Sequence, residues 1–247
     1  GWQVDYYSDP LNRLDSVVWT DPDLFQYYYR YYYDNGGNLI SKQLLLCGEE
    51  DWDVVDEDIY VYASTGWKDL LVEFNGETIT YDAIGNPLSY YGGRSFTWEG
   101  RELKTLTNGD TTASYVYNES GIRTSKTVDG VTTSYLLEGS RIIFRTVGST
   151  RWSFLYYGDE LTGFEVEGET YYYLKNLQGD ILQIVDEDGG TVVEYLYDDW
   201  GKLLSIEGEL SDIVGEENPF RYRGYVYDEE TGLYYVSSRY YDPETGR

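Results

Sequence analysis

Tyr195-Leu196-Tyr197-Asp198-Asp199-Trp200-Gly201-Lys202-Leu203 is the stretch on which the fold turns. Tyr, Leu and Tyr alternate at the period of a strand, in which residues i and i+2 share a face. Asp198 then stands where a type I turn wants a side chain that accepts main-chain N–H groups. Gly201, three residues on, stands where the chain needs a positive φ. These nine residues predict one end of a β-hairpin.

The same combination recurs at Tyr33, Asp34 and Gly37, at Tyr81, Asp82 and Gly85, and at Tyr117, Asn118 and Gly121. A second kind of turn alternates with it, the dipeptides Asn75-Gly76, Asn108-Gly109, Asp129-Gly130 and Glu167-Gly168. The Asn-Gly and Asp-Gly examples suit type I′ turns, whose twist matches that of paired strands. Between turns lie runs rich in Tyr, Thr, Val, Ile and Phe, such as Thr111 to Tyr117, Val131 to Leu137 and Thr170 to Leu174, which read as strands. Equivalent positions at Asp82, Glu99, Asn118, Glu138, Tyr157, Leu174 and Asp198 recur about 20 residues apart. No segment holds an apolar period of 3.6 for three turns, so at most a short helical turn is expected near Trp67 to Leu71 or Leu210 to Val214. The fold class is all-β, a tandem array of antiparallel hairpins. One hairpin alone is marginal in water, so repetition is itself a requirement of stability.

Tyrosine fits such an array. Tyr115 with Tyr117, Tyr195 with Tyr197, and Tyr225 with Tyr227 each place two rings on one face. An aromatic pair adds roughly 0.5–1.5 kcal/mol beyond its area, and the hydroxyl is expected to reach solvent or a carboxylate at the sheet margin.

Composition narrows the chemistry. The 247 residues include 30 Tyr and 27 Gly, neither His nor Met, and 45 acids against 18 Lys and Arg, for a net charge of −27. Without histidine there is no Ser/His/Asp or Cys/His catalytic arrangement and no imidazole metal site. The acidic balance repels nucleic acid and anionic membranes, and no apolar run approaches the roughly 20 residues of a membrane helix. Cys47, alone beside Leu46, is expected to be a small buried hydrophobe. The run from Glu49 to Asp58 is acidic enough to suggest Ca²⁺, but it lacks the spacing of a calcium loop and reads as a solvated acidic loop. Asp186-Glu187-Asp188-Gly189-Gly190 reads as a hairpin loop, and Asn118-Glu119-Ser120 as a turn rather than a glycosylation acceptor. Carboxylate pairs of the glycosidase kind are uninformative among 45 acids. No catalytic, cofactor-binding or metal-binding residue is assigned. With only 5 Pro and no Ser-rich linker the chain reads as one continuous body, and its opening Gly suggests a piece of a longer product.

Together the motif copies resemble the RHS/YD-repeat family, whose unit reads Tyr-x-Tyr-Asp-x-x-Gly-x-Leu. Besides the copies above, Tyr7-Ser8-Asp9-Pro10-Leu11-Asn12-Arg13-Leu14 is a degenerate one in which Asn12 takes the glycine position. The similarity is sharpest from Asn218-Pro219-Phe220-Arg221-Tyr222-Arg223-Gly224-Tyr225, through Tyr227, Asp228 and Gly232, to Arg239-Tyr240-Tyr241-Asp242-Pro243-Glu244-Thr245-Gly246-Arg247. Residues 1–217 thus read as the hairpin repeats, and 218–247 as the RHS-associated core segment.

The resemblance implies hairpins curling into a curved or spiral β-sheet shell, as in secreted bacterial polymorphic toxins, Tc-type cocoons and, more distantly, teneurins. It also implies a C-terminal effector, or another basic protein cargo from the same gene, as partner. A self-cleaving aspartyl-protease element in such members follows the matched segment, so no catalytic role is carried over, and Asp228 and Asp242 are read as turn residues. The expected function is a non-enzymatic, secreted or surface shell segment without cofactor. Two alternatives stand beside it. One is a module adhering to cell-surface glycan or protein through exposed Trp52, Trp67, Trp98, Trp152 and Tyr rows. The other is a self-associating Tyr-rich fibre or surface protein.

Overall fold

The computed structural model describes residues 2–47, 52–237 and 239–247. The chain divides into two compact units, 1–92 and 93–247. In the first unit the strands Gln3–Ser8, Leu14–Thr20, Gln26–Tyr33, Leu39–Cys47, Trp52–Tyr62, Leu71–Phe74 and Glu77–Thr78 lie antiparallel in chain order. A short hairpin, Thr80–Tyr81 with Pro87–Tyr90, follows them. In the second unit every strand from Arg94–Glu99 to Leu203–Glu207 pairs with the next in sequence. The chain then makes a single helical turn at Ser211–Gly215 and a smaller one at Tyr222–Gly224. It ends in a three-stranded meander of Val226–Asp228, Leu233–Val236 and Arg239–Tyr241. The fold is all-β and built of hairpins.

Loop chemistry explains the register. At Asp9, Asp21, Asp34, Asp82, Asn118, Asn176, Asp186 and Asp198 one side-chain oxygen accepts the N–H groups of residues i+2 and i+4. The residue at i+3 has positive φ, as in Gly37 (87°), Gly201 (85°) and the stand-in Asn12 (61°). Asn176 and Gly179 keep the spacing behind Lys175 instead of a tyrosine, while at Asp21 the left-handed position is held by Leu24 (φ 68°).

Among the dipeptide loops, Asn75-Gly76, Asp129-Gly130 and Glu167-Gly168 have positive φ at both residues, as type I′ requires. Asn108-Gly109 differs: Asn108 is the last strand residue and pairs with Thr111, so the loop is Gly109-Asp110. Gly109 (φ 59°) then leads the loop, the position where a type II′ turn demands glycine.

Several local expectations need correction. Cys47 ends its strand exposed. Of the acidic run, 49–51 lie outside the described residues, while the remainder belongs to the strand Trp52–Tyr62 rather than to a loop. There Glu57 accepts hydrogen bonds from Ser41 and Gln43, and Asp58 accepts one from Asn75. Trp152 is core, 3% exposed and stacked on Phe164, so it offers no platform to a glycan. Trp67 to Leu70 is a turn that feeds the strand Leu71–Phe74.

Several tyrosine hydroxyls tie one hairpin to another, while Tyr157 stays exposed to solvent and Tyr115 does meet a carboxylate, that of Glu230. Tyr33 donates to the Leu14 carbonyl at 2.7 Å, Tyr62 to Leu39 at 2.8 Å, Tyr81 to Leu71 at 2.6 Å, Tyr156 to Ile142 at 3.0 Å and Tyr197 to Ile181 at 3.0 Å. Leu14, Leu39, Ile142 and Ile181 each stand two residues past a hairpin loop, where the strand register shifts by a bulge. A bulge interrupts the ladder, and the next hairpin's tyrosine supplies a donor there. Lys175 occupies the tyrosine position before Asn176 and still donates, through Nζ, to the Leu161 carbonyl. Tyr197→Phe is therefore expected to cost about 1–2 kcal/mol by leaving a buried carbonyl unsatisfied. A urea midpoint equal to wild type would show that the tie contributes nothing.

Candidate functional site

Within the second unit the segment 218–247 folds back onto the aromatic face of its own strands. Tyr135, Phe154, Phe164, Tyr173 and Tyr195 from the wall form one buried cluster with Phe220, Val226 and Tyr235 from the segment. Phe154 meets Phe220 edge-on at 4.8 Å. Asn218, fully buried, accepts from the Tyr173 hydroxyl at 2.6 Å and donates to the Phe220 carbonyl at 2.6 Å.

At the centre of this contact lies a buried ion cluster. Strand Arg123–Val128 places Arg123 and Lys126 on the inner face, beside Tyr115 of the neighbouring strand Thr111–Tyr117. Both Nη atoms of Arg123 reach the Asp228 carboxylate, at 2.5 and 2.9 Å. Lys126 Nζ bonds Asp228 at 2.9 Å and Glu230 at 2.7 Å, and the Tyr115 hydroxyl donates to Glu230 at 2.9 Å. The Arg123 guanidinium also lies 4.3 Å from the Tyr235 ring centroid, with Tyr115 and Tyr135 at 5.4 and 5.6 Å. Arg94 donates to the Thr231 carbonyl, and the hydroxyls of Tyr117 and Tyr240 meet at 2.8 Å.

The electrostatics follow from burial and pairing. Burial pushes the Asp228 carboxyl up, but Arg123 and Lys126 together outweigh it and hold it below the ordinary value. Burial would also lower Lys126, yet Asp228 and other neighbours raise it. The Tyr117 phenol, desolvated, is pushed up to about 12. A carboxyl depressed in the folded state contributes stability above its unfolded pKa and loses it as pH falls through its folded value. The Asp228 contribution should therefore be complete near neutrality and fade below about pH 4. In urea titrations over that range, the gap between wild type and Asp228→Asn should shrink as acid is added; a constant gap would refute the assignment.

A second junction forms at the loop after Tyr197. The Tyr222 ring lies so close to Gly201 that a Cβ there would sit 2.3 Å from Cγ of the ring. Tyr234 donates to the Gly201 carbonyl at 2.9 Å, Tyr241 to the Trp200 carbonyl at 2.7 Å, and Lys202 pairs with Glu244 at 2.8 Å. Gly246 in turn lies against the Trp200 ring.

Of the motif residues, the structure brings Tyr197, Asp198 and Gly201 together with Tyr241, Asp242 and Gly246. It brings Tyr117 to the ion cluster through Tyr240, while Asn118 and Gly121 shape a hairpin loop. Tyr33, Asp34 and Gly37, like Tyr81, Asp82 and Gly85, form hairpin ends of the first unit. Asp242 does turn the chain, its carboxylate accepting from Glu244 N and Thr245 Oγ1. Asp228 is corrected: its carbonyl accepts the N–H groups of Thr231 and Gly232, but its carboxylate pairs across the contact instead of capping the turn. Arg123, Lys126 and Asn218 were assigned no role from sequence. Arg123 and Lys126 stand three residues apart, which unbroken alternation would put on opposite faces. Tyr117 pairs with Arg123 and Val116 with Ser125, a bulge that skips Thr124 and brings both cations to one face, so alternation gave no signal for them.

A wall of tied hairpins whose own C-terminal chain is locked onto one face by buried charge defines a structural shell. The comparisons agree. A family model described as Teneurin YD-shell matches residues 145–247. The tRNA3(Ser)-specific nuclease WapA of Bacillus spizizenii is 34% identical over 96% of this chain, and the tRNA nuclease WapA of Bacillus subtilis 35% identical over 96%. The chain spans about a tenth of the length of these relatives, 10% in each. Its fold matches that in the crystal structure of TcdB2-TccC3-Cdc42 with a TM-score of 0.57, at 18% identity, over 100% of this chain and 17% of that one. The chain belongs to the RHS/YD-repeat family.

Proposed function

We propose that this chain is part of the wall of a secreted RHS-type container that encloses a C-terminal effector. The observation that carries the reading is the seating of 218–247 on the aromatic face through the Arg123–Asp228–Lys126 cluster. Such a lock holds the segment on that face of the wall. The Bacillus relatives are named for nuclease activity, and this chain aligns with a small part of their length, which fits a carrier portion accompanying a separate activity. Limited proteolysis of the full gene product tests the reading. An effector fragment should resist protease while the wall is folded and become sensitive when denaturant opens it. An effector digested as fast as an unfolded control would overturn the proposal.

A further inference from the structure

The aromatic face carries a feature that the seated segment does not use. A cavity of about 340 Å³ opens beside the helical turn Ser211–Gly215, lined by Trp152, Val166 and Val214 below and by the 66% exposed Ile213 at its edge. Arg145, paired with Glu217 at 3.0 Å, closes one side. On the opposite side Glu169, Tyr171 and Leu210 line both this cavity and an adjoining cleft of about 320 Å³. Asp186, Glu187, Asp188 and Glu209 line that cleft. Among the described residues none of these four, nor Glu169, is in an ion pair with a Lys or Arg. The field at the junction is registered by the Tyr171 phenol, which burial raises first and the nearby Glu169, Asp186 and Glu167 carboxylates raise further.

An apolar socket continuous with an uncompensated acidic cleft has one complementary occupant. We infer that this groove binds an extended basic segment of protein, with one large apolar side chain in the Trp152 socket and neighbouring Lys or Arg side chains along the Glu169–Glu209 cleft. Charge complementarity selects the partner's sign, since a neutral or acidic segment would leave these carboxylates uncompensated at close range. The socket selects the register, because a buried apolar anchor fixes where the flanking cations fall. This deepens the container reading, on which it rests for its biological partner, by giving the chemistry of the enclosed chain at one point of the wall.

The test uses this chain and a short fluorescein-labelled peptide of alternating lysine and leucine, followed by fluorescence anisotropy. Saturable binding is expected. It should weaken by about tenfold or more, near 1.4 kcal/mol, in Ile213→Ser and in the triple variant Glu169→Gln, Asp188→Asn, Glu209→Gln. These positions are exposed, and circular dichroism should confirm an unchanged fold. The pair Asp110→Asn and Glu119→Gln, exposed on other hairpin loops, should bind as wild type. A lysine-serine peptide that binds equally well would overturn the inference, as would a triple variant without effect or equal weakening by the control pair. Because the peptide is added to the chain by itself, an effector found unprotected in the proteolysis experiment would sink the container while leaving this result to stand or fall separately.

Discussion

Asp228→Ala is expected to cost about 3–5 kcal/mol of unfolding free energy, because it leaves Arg123 and Lys126 buried with too little compensating charge. The Arg123 side chain is 1% exposed and Asp228 fully buried, so neither cation can turn to water without opening the contact. Glu230 remains beside Lys126 at 2.7 Å and softens its loss, but among the described residues no other carboxylate replaces the two bonds from Arg123. The appropriate comparison is Glu138→Ala, which breaks the solvent-facing pair with Arg141, and exposed pairs of that kind contribute roughly 0–1 kcal/mol. Urea unfolding of both variants decides the matter. A shift for Asp228→Ala no larger than that for Glu138→Ala would show that the cluster does not hold the segment. The variant should also expose the chain after Pro219 to protease before the hairpins of the wall are cut.

Gly201→Ala should cost about 3 kcal/mol or more, through two effects that can be separated. The φ of 85° imposes left-handed strain of roughly 1–2 kcal/mol on any residue with a Cβ. The new methyl would also press into Tyr222, whose ring atoms lie 2.3–2.7 Å from its position, and overpacking of this kind adds about 1–3 kcal/mol. Gly37→Ala isolates the first effect, since φ is 87° and nothing lies within 4 Å of its Cβ. Equal destabilisation of the two variants in thermal or urea unfolding would remove the Tyr222 contact from the account.

These two residues also mark how far the sequence could be read. Gly201 was legible as a turn because Asp198 and glycine act over four residues of chain, and the same local chemistry made most hairpin ends legible. Its second role, as bare backbone under Tyr222, depends on a ring 21 positions downstream and left no local trace. Asp228 shows the opposite failure: it matches the motif, yet its carboxylate answers Arg123, more than a hundred residues earlier. Local signals also fail when an unexpected residue occupies a demanding position. Leu24 holds a left-handed φ of 68° after Asp21, so that loop has no glycine to announce it. The aromatic face was legible as a face, whereas the ion cluster and the acidic groove were not, because each is assembled from hairpins distant in sequence.

The tyrosine ties have a consequence for how such a chain can lengthen. Each hydroxyl reaches back to a carbonyl in an earlier hairpin, so a gene duplication that copies a hairpin together with its loop copies a donor and an acceptor at once. A duplication of one strand would leave a phenol and a carbonyl unmatched and would reverse the direction of everything after it. Lys175 shows that the donor's identity can drift provided its reach is kept. Inheritance by whole hairpins, with free variation in the outward residues, is the mode of growth that this bonding pattern permits.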